Sequence, residues 1–138
     1  MENRAKRALE LHEKGYNCAQ SVACAYCDAA GLDEATMFKV TEGFGLGMGG
    51  TCATCGAVTG AVAVLGMKNS SGNLDAPDSK GRTYREVRSV PERFEEKNGS
   101  LVCRELKGID TGRVLRSCPG CIEDAAAILA DVLTDEGV

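Results

Sequence analysis

The chain carries eight cysteines in 138 residues, which is far above the ordinary usage of this residue. A chain of this length can bury a hydrophobic core, so disulfides are not needed to replace one. The first residues run directly into a helical pattern and lack the apolar segment of a secretion signal, so we expect a cytoplasmic protein. Thiols stay reduced in that compartment, where cysteines more often bind metal or perform redox chemistry.

Composition and charge limit both the fold class and the partners. Aromatic residues make up 4% of the chain and tryptophan is absent, so the core must be built from small and aliphatic side chains, which favour closely packed helices. The net charge is −4 and no basic patch is interleaved with aromatics, so nucleic acid is not expected as a partner. No apolar run approaches the roughly 20 residues that a membrane span requires.

Helical periodicity and helix-end signals predict an all-α fold, a single compact bundle of about five to seven helices forming one domain over residues 1–138. A glycine-rich loop at 43–50 precedes a helix that is apolar almost all round, which marks that helix as the central, buried element. Pro91 is expected to break or kink the long polar helix. No alternating apolar run predicts a strand. The predicted helices cover residues 2–13, 18–30, 34–42, 55–67, 78–97 and 101–107. A further, final helix is predicted with Pro119 at its first position.

Four cysteines lie at or next to predicted helix starts. Cys18, Cys55 and Cys118 sit at or just before a start, and Cys103 lies in the first turn of a short helix. Free backbone N–H groups and the helix dipole lower the pKa of a thiol at such a place. Four helix starts of this kind can converge on one buried point, where they would form a nest for an anionic Cys₄–metal centre.

Three pairs of cysteines have the CxxC spacing, which suits either a redox dithiol or half of a zinc site. The first pair, Cys24/Cys27, lies in the middle of a predicted helix, on the side away from Cys18. We interpret its members as structural thiols. The second pair enters a helix from the glycine-rich loop and is a candidate functional pair. The third resembles a thioredoxin-type dithiol in spacing, although the βαβ pattern that accompanies such a motif is missing. The pairs are Cys24/Cys27, Cys52/Cys55 and Cys118/Cys121.

Two further features have modest expected roles. His12 is the only histidine and lies on the apolar face of the first helix, so we interpret it as a packing or capping residue. The glycine-rich loop at 43–50 lacks the preceding strand and the Gly-Lys-Ser/Thr ending of a phosphate loop. Its expected role is to let the backbone approach a cofactor or a neighbouring helix closely.

Several segments, in order and over nearly the whole chain, resemble the C-GCAxxG-C-C family of redox-active proteins. The central motif reads Cys-Gly-Ala here where the family label reads Gly-Cys-Ala. The segments are Tyr16-Asn17-Cys18-Ala19-Gln20-Ser21, Gly43-Phe44-Gly45, Gly47-Met48-Gly49, Cys55-Gly56-Ala57-Val58-Thr59-Gly60-Ala61, Cys103-Arg104-Glu105-Leu106 and Cys118-Pro119.

This resemblance implies that the four family cysteines are Cys18, Cys55, Cys103 and Cys118, and that they bind the metal cofactor. The same module is similar to part of the split-Soret cytochromes c, where it is associated with a non-haem iron–sulfur centre. The chain has no CxxCH motif, so the haem part of that similarity does not apply.

Three functions fit these observations. The first is an iron–sulfur electron carrier that works with an unidentified redox partner protein, since four inward thiolates require no separate acid–base groups. The second is a metal-free thiol–disulfide oxidoreductase. The third is a structural zinc or metal-sensing module. The additional cysteines and the small-residue helix faces leave a homodimer open. If the chain is a thiol–disulfide oxidoreductase, the expected nucleophile is Cys118 or Cys55, and the expected resolving thiol is Cys121 or Cys52.

Overall fold

The computed structural model describes residues 3–135, and within them the chain is helical with no β-strand. The all-α prediction is confirmed. A single isolated backbone bridge joins Thr54 to Val102. No helix of this part of the chain combines the length and apolar character needed to cross a membrane. The regular α-helices are α1 (Arg4–Glu13), α2 (Cys18–Cys24), α3 (Cys27–Ala30), α4 (Glu34–Thr41), α5 (Gly56–Asn69), α6 (Lys80–Asn98), α7 (Cys103–Lys107) and α8 (Cys118–Asp135). Between α4 and α5, the glycine-rich loop contains a 3₁₀ turn (Glu42–Phe44) and one further turn (Gly45–Met48) that is interrupted by left-handed dihedrals.

Local capping explains why α2 and α4 begin where the sequence predicts. Asn17 and Gln20 form a capping box at the start of α2, in which each side chain accepts from the other residue's backbone N–H. Asp33 caps α4 by accepting from the backbone N–H of Thr36. These caps use only neighbouring residues, which is why the sequence alone reveals them.

The predicted helix over residues 18–30 is interrupted, and it forms α2 and α3 instead. Tyr26 leaves the helical conformation, with φ of −123° and ψ of 24°. Its side chain is 2% exposed, and its hydroxyl donates a hydrogen bond of 2.7 Å to the carbonyl of Ala126 on α8. A buried phenol needs such a partner, so a contact with a distant helix determines where the helix ends.

Helix α5 is the central element, as predicted, and packs against α2, α6 and α8. Its closest approach is to α2. A Cβ atom built on Gly60 would lie 2.5 Å from the carbonyl oxygen of Ala19, so only glycine allows the two backbones to come this near. This close packing places the start of α5 beside the start of α2.

Helix α6 runs without a break from Lys80 to Asn98, so of the two outcomes predicted at Pro91, a break or a kink, the break is wrong. Val90 and Phe94 lie on either side of the proline and are both completely buried. Burial of these two large apolar side chains stabilises the fold by roughly 1.5–3 kcal/mol for each. This stabilisation offsets the loss of the backbone hydrogen bond that proline cannot make.

Candidate functional site

Five cysteines surround one cavity of about 200 Å³ at the meeting point of α2, α5, α7 and α8. One water molecule needs only about 10–15 Å³ of comparable volume, so the cavity accommodates a polyatomic group rather than a single atom. The five cysteines are Cys18, Cys55, Cys103, Cys118 and Cys121. The other lining residues are His12, Asn17, Leu46, Gly56, Leu106, Lys107 and Arg116.

Each of the four cysteines selected from the sequence lies at a helix start. Cys18, Cys103 and Cys118 are the first residues of α2, α7 and α8, and Cys55 immediately precedes α5. The structure therefore brings together the four residues that the sequence analysis named. It adds Cys121, which lies one turn into α8 and is 2% exposed.

Backbone hydrogen bonds hold Cys55 and Cys103 in register. The N–H of Cys55 donates to the carbonyl of Leu101 at 2.7 Å, and the N–H of Cys103 donates to the carbonyl of Ala53 at 2.9 Å. These two bonds connect the segment before α5 to the segment before α7. The two thiols are thereby positioned by backbone and not only by side-chain packing.

The glycine-rich loop passes directly against Cys103. A Cβ atom on Gly47 would lie 2.5 Å from the Cβ atom of Cys103, and Gly47 has a left-handed φ of 58°. Its neighbours Leu46 and Met48 also have left-handed φ values, which are uncommon for residues with side chains. The loop therefore performs the predicted role of bringing backbone close to the site.

Cys118 and Cys18 form the first of two thiol pairs. The interaction with the Cys18 thiol is the largest influence that lowers the pKa of Cys118, and with the Lys107 hydrogen bond it brings that pKa to about 5. The Lys107 ammonium donates to Cys118 Sγ at 3.3 Å. The pKa of Cys18 is raised, because its thiol donates to Cys118 and because it is buried. The pair therefore shares one proton between its two sulfurs over a wide pH range.

Cys55 and Cys121 form the second pair, with the same asymmetry. The pKa of Cys55 is lowered, chiefly by the thiol of Cys121 and also by the backbone N–H groups of Ala57 and Val58 in the first turn of α5. The pKa of Cys121 is raised by its hydrogen bond to Cys55 and by burial. The fifth cysteine thus donates a hydrogen bond that helps to lower the pKa of Cys55.

The prediction that all four helix starts lower the thiol pKa is wrong for two of them. Burial and the neighbouring Cys55 raise the pKa of Cys103, and Cys18 acts as a donor. At α8 the amides contribute little, because Pro119 has no N–H and the N–H of Gly120 is bound by the Ser117 side chain at 3.1 Å. Ser117 is thus the cap and Cys118 the first helical residue, one position before the predicted start at Pro119.

The sequence analysis missed the cationic residues of the site. Lys107 and Arg116 both line the cavity. Arg116 is oriented by the buried carboxylate of Asp124, to which its Nε donates at 3.0 Å. Gly120 makes room for it, since a Cβ there would lie 2.5 Å from that Nε. Both could have been proposed from the sequence, because Lys107 lies a few residues after Cys103 and Arg116 lies just before Cys118.

His12 combines the predicted capping role with a place in the cavity lining. Its Nδ1 lies 2.9 Å from the carbonyl of Tyr16, and because a carbonyl only accepts, Nδ1 carries the proton of this bond. His12 also contributes to the low pKa of Cys118 through its charge interaction. It therefore ties the end of α1 to the site.

Three cysteines do not line the cavity. Cys52 is exposed and its thiol lies beside the guanidinium of Arg104, so it is placed apart from Cys55 in spite of their CxxC spacing. Cys24 and Cys27 lie at the break between α2 and α3. Within residues 3–135, no three His, Cys, Asp or Glu side chains are arranged to hold a single metal ion.

These features define the chain as a helical protein with a cysteine-lined cavity assembled from helix starts. The chain matches the family described as "Putative redox-active protein (C_GCAxxG_C_C)" over residues 16–132 and belongs to that family. No curated protein matches the chain. No solved structure matches it either.

Proposed function

We propose that the chain binds an iron–sulfur cluster in the cysteine-lined cavity and transfers electrons to a redox partner protein. The observation that carries this proposal is the convergence of four helix-start cysteines on one cavity. Cysteine thiolates are the usual ligands of such clusters, four to a cluster. The ligands are Cys18, Cys55, Cys103 and Cys118.

The residues around the cavity fit a cluster in size and in charge. A lone ion would leave most of the 200 Å³ unfilled. The pKa of Cys118, about 5, provides one thiolate at neutral pH, and the pKa of Cys55 is also lowered from its usual value. Cys18 and Cys103, whose pKa values are raised, lose their protons on binding metal, because a coordinating thiol is deprotonated outright.

When bound, the cluster supplies one-electron transfer at a potential set by its surroundings. The chain's own residues provide those surroundings. Lys107 donates to Cys118 Sγ and places a positive charge beside it, which stabilises a more negatively charged, reduced site. Leu46 and Leu106 provide the apolar part of the lining, and Leu106 is buried. Cys121 remains as a fifth thiol that donates to the sulfur of Cys55.

A metal-free thiol–disulfide oxidoreductase is the second candidate, and the Cys118 thiolate favours it. A thiol with a pKa of about 5 beside a cation is a nucleophile. The partner in contact with it is Cys18 and not Cys121, so the disulfide of this reaction would join Cys18 to Cys118. This pairing across helices differs from the CxxC pairing expected from the sequence.

The deciding experiment is anaerobic purification followed by measurement of iron, acid-labile sulfide and zinc. We expect a brown protein that contains iron and sulfide and bleaches with dithionite. Cys103→Ala removes a cavity thiol, and Cys52→Ala is the matched control because Cys52 is exposed outside the cavity. Loss of cluster in Cys103→Ala with retention in Cys52→Ala supports the proposal.

Other metal contents would contradict the proposal. Stoichiometric zinc without iron would indicate a metal-binding module instead. A metal-free protein that loses two hydrogens on oxidation, with a disulfide between Cys18 and Cys118, would support the oxidoreductase. Full iron content in Cys103→Ala would overturn the assigned ligand set.

A further inference from the structure

Cys24 and Cys27 form a pair of thiols outside the cavity, on the part of the chain where α2 ends and α3 begins. Their thiols lie next to each other, and each influences the pKa of the other. The thiol of Cys24 also points to the carbonyl of Glu34, with a sulfur–oxygen distance of 3.9 Å. Neither residue has a role in the function proposed above.

The break in the helix frees these two cysteines from the fixed spacing of a regular helix. Residues three apart on an α-helix have Cβ atoms about 5–6 Å apart, whereas a disulfide requires about 3.5–4.5 Å. Tyr26 lies between the two cysteines in a non-helical conformation, and its N–H bonds to the carbonyl of Ala23 in a tighter turn. The backbone is therefore already released from helical geometry at this point.

The two thiols differ in access. Cys24 is 7% exposed, and Cys27 is half-buried and more open to solvent. This is the arrangement of an attacking thiol with a resolving thiol behind it. We propose that Cys24 and Cys27 form a second redox site, a dithiol that exchanges two electrons with a low-molecular-weight disulfide.

The exchange takes place in two balanced steps. Cys27 Sγ, as thiolate, attacks one sulfur of the small disulfide, the sulfur–sulfur bond of the reagent breaks, and the departing thiolate takes the proton that Cys27 released. Cys24 Sγ then attacks Cys27 Sγ and displaces the second thiol, which takes the proton of Cys24. Two protein thiols are oxidised to one disulfide, and the reagent is reduced to two thiols.

The surroundings of the pair favour the disulfide at equilibrium. Burial is the main cause that raises the pKa of both thiols, and the carboxylates of Glu34, Asp28 and Asp33 also raise that of Cys27. A dithiol becomes strongly oxidising when its reduced form is stabilised, for example as thiolate. Since the pKa of both thiols is raised overall, the thiolate fraction at neutral pH is small, and we expect the disulfide to be weakly oxidising and slow to exchange.

The test uses the anaerobically purified protein and oxidised glutathione as the probe. After equilibration, free thiols are alkylated, and fragmentation mass spectrometry locates each modification within the peptide that contains both cysteines. We expect a disulfide between Cys24 and Cys27, with loss of two hydrogens, that dithiothreitol reverses. In Cys24→Ser the mixed disulfide should remain trapped on Cys27, and in Cys27→Ser neither product should form.

Several results would overturn this proposal. They are complete alkylation of both thiols in the unmutated protein after equilibration, no trapped mixed disulfide in Cys24→Ser, or a trapped one on Cys24 in Cys27→Ser. Iron and sulfide are measured in the same samples and should be unchanged in both variants. Absence of iron from the unmutated protein would refute the cluster and leave the disulfide result standing, so the two proposals fail separately.

Discussion

The ammonium group of Lys107, at the end of α7, donates a hydrogen bond of 3.3 Å to the sulfur of Cys118, the first residue of α8. Cys118 is followed by Pro119, which has no N–H to offer, so a side chain supplies part of the stabilisation that backbone amides supply at Cys55. The cation therefore belongs to the immediate surroundings of the Cys118 sulfur.

We expect the metal-free, reduced protein to react with iodoacetamide first at Cys118. Its pKa of about 5 makes it a thiolate at pH 7, and the rate should fall as the pH drops through that value. Lys107→Met removes the hydrogen bond and the charge, and should move the midpoint of the pH profile upward by about 1 unit or more. Peptide mapping of alkylation rates across pH provides the measurement.

The matched control for this change is Lys39→Met, since Lys39 is exposed on α4. It should leave the pH profile where it is. In the cluster-loaded protein, Lys107→Met should also lower the reduction potential, measured by spectroelectrochemical titration. An unaltered pH midpoint in Lys107→Met would show that the cation does not stabilise this thiolate.

Close packing of α5 on α2 predicts opposite effects of alanine at two glycines of the same helix. Gly60→Ala places a Cβ 2.5 Å from a backbone carbonyl, and should lower the free energy of unfolding by about 1–3 kcal/mol. Gly66→Ala meets nothing within 4 Å, and should raise it by up to about 1 kcal/mol through helix propensity. Urea unfolding followed by circular dichroism measures both, and equal effects would contradict the close approach.

The glycine-rich loop offers a second matched pair. Gly47 and Gly49 both have left-handed φ values, so alanine at either should cost about 1–2 kcal/mol in stability. Only at Gly47 does the added Cβ also collide with Cys103. We therefore expect Gly47→Ala to lose iron and Gly49→Ala to keep it, measured as iron per folded protein. Equal iron content in the two variants would argue against Cys103 as a ligand.

The buried carboxylate of Asp124 predicts a pH dependence of stability. Burial opposes its ionisation, but hydrogen bonds from Arg116, Lys97 and Asn98 outweigh that effect and lower its pKa. A lowered folded-state pKa gives stability that is complete above the unfolded value of about 3.9 and disappears as the pH falls through the folded value. Asp124→Asn should therefore cost about 3 kcal/mol at pH 7, and the difference from the unmutated protein should shrink below pH 4.

Glu123→Gln is the control for Asp124→Asn. Glu123 pairs with the same Arg116 at 3.3 Å, but its side chain is 54% exposed. Such a surface pair contributes about 0–1 kcal/mol. Chemical denaturation at several pH values compares the two variants, and a pH-independent deficit in Asp124→Asn would mean that the charge is not what stabilises this region.

Signals confined to neighbouring residues predicted much of the fold. The capping residues Asn17 and Asp33 determine where α2 and α4 begin, and both act within three residues of themselves. The failures have tertiary causes. The helix break at Tyr26 depends on the carbonyl of Ala126 a hundred residues away. Helix α6 continues through Pro91 because the core buries Val90 and Phe94 on either side.

The candidate site, like the fold, was predictable only in part from the sequence. Cysteines at helix starts can be recognised from the chain, and the four named from the sequence do meet around the cavity. Cys121 could not be recognised as the partner of Cys55, because that contact depends on how α8 packs against α5. Lys107 was missed for a similar reason, since its long side chain reaches a residue of another helix.

The contact between residues 18 and 118 has a consequence for how the protein can be reconstituted. In an unfolded chain the nearest sulfur donors are the CxxC neighbours, whereas in the folded chain Cys118 meets Cys18 and Cys121 meets Cys55. If the proposed ligand set holds, iron supplied during refolding would meet the CxxC pairs first and compete with assembly of the cavity. A preparation that folds the thiols reduced and adds iron and sulfide afterwards avoids that competition.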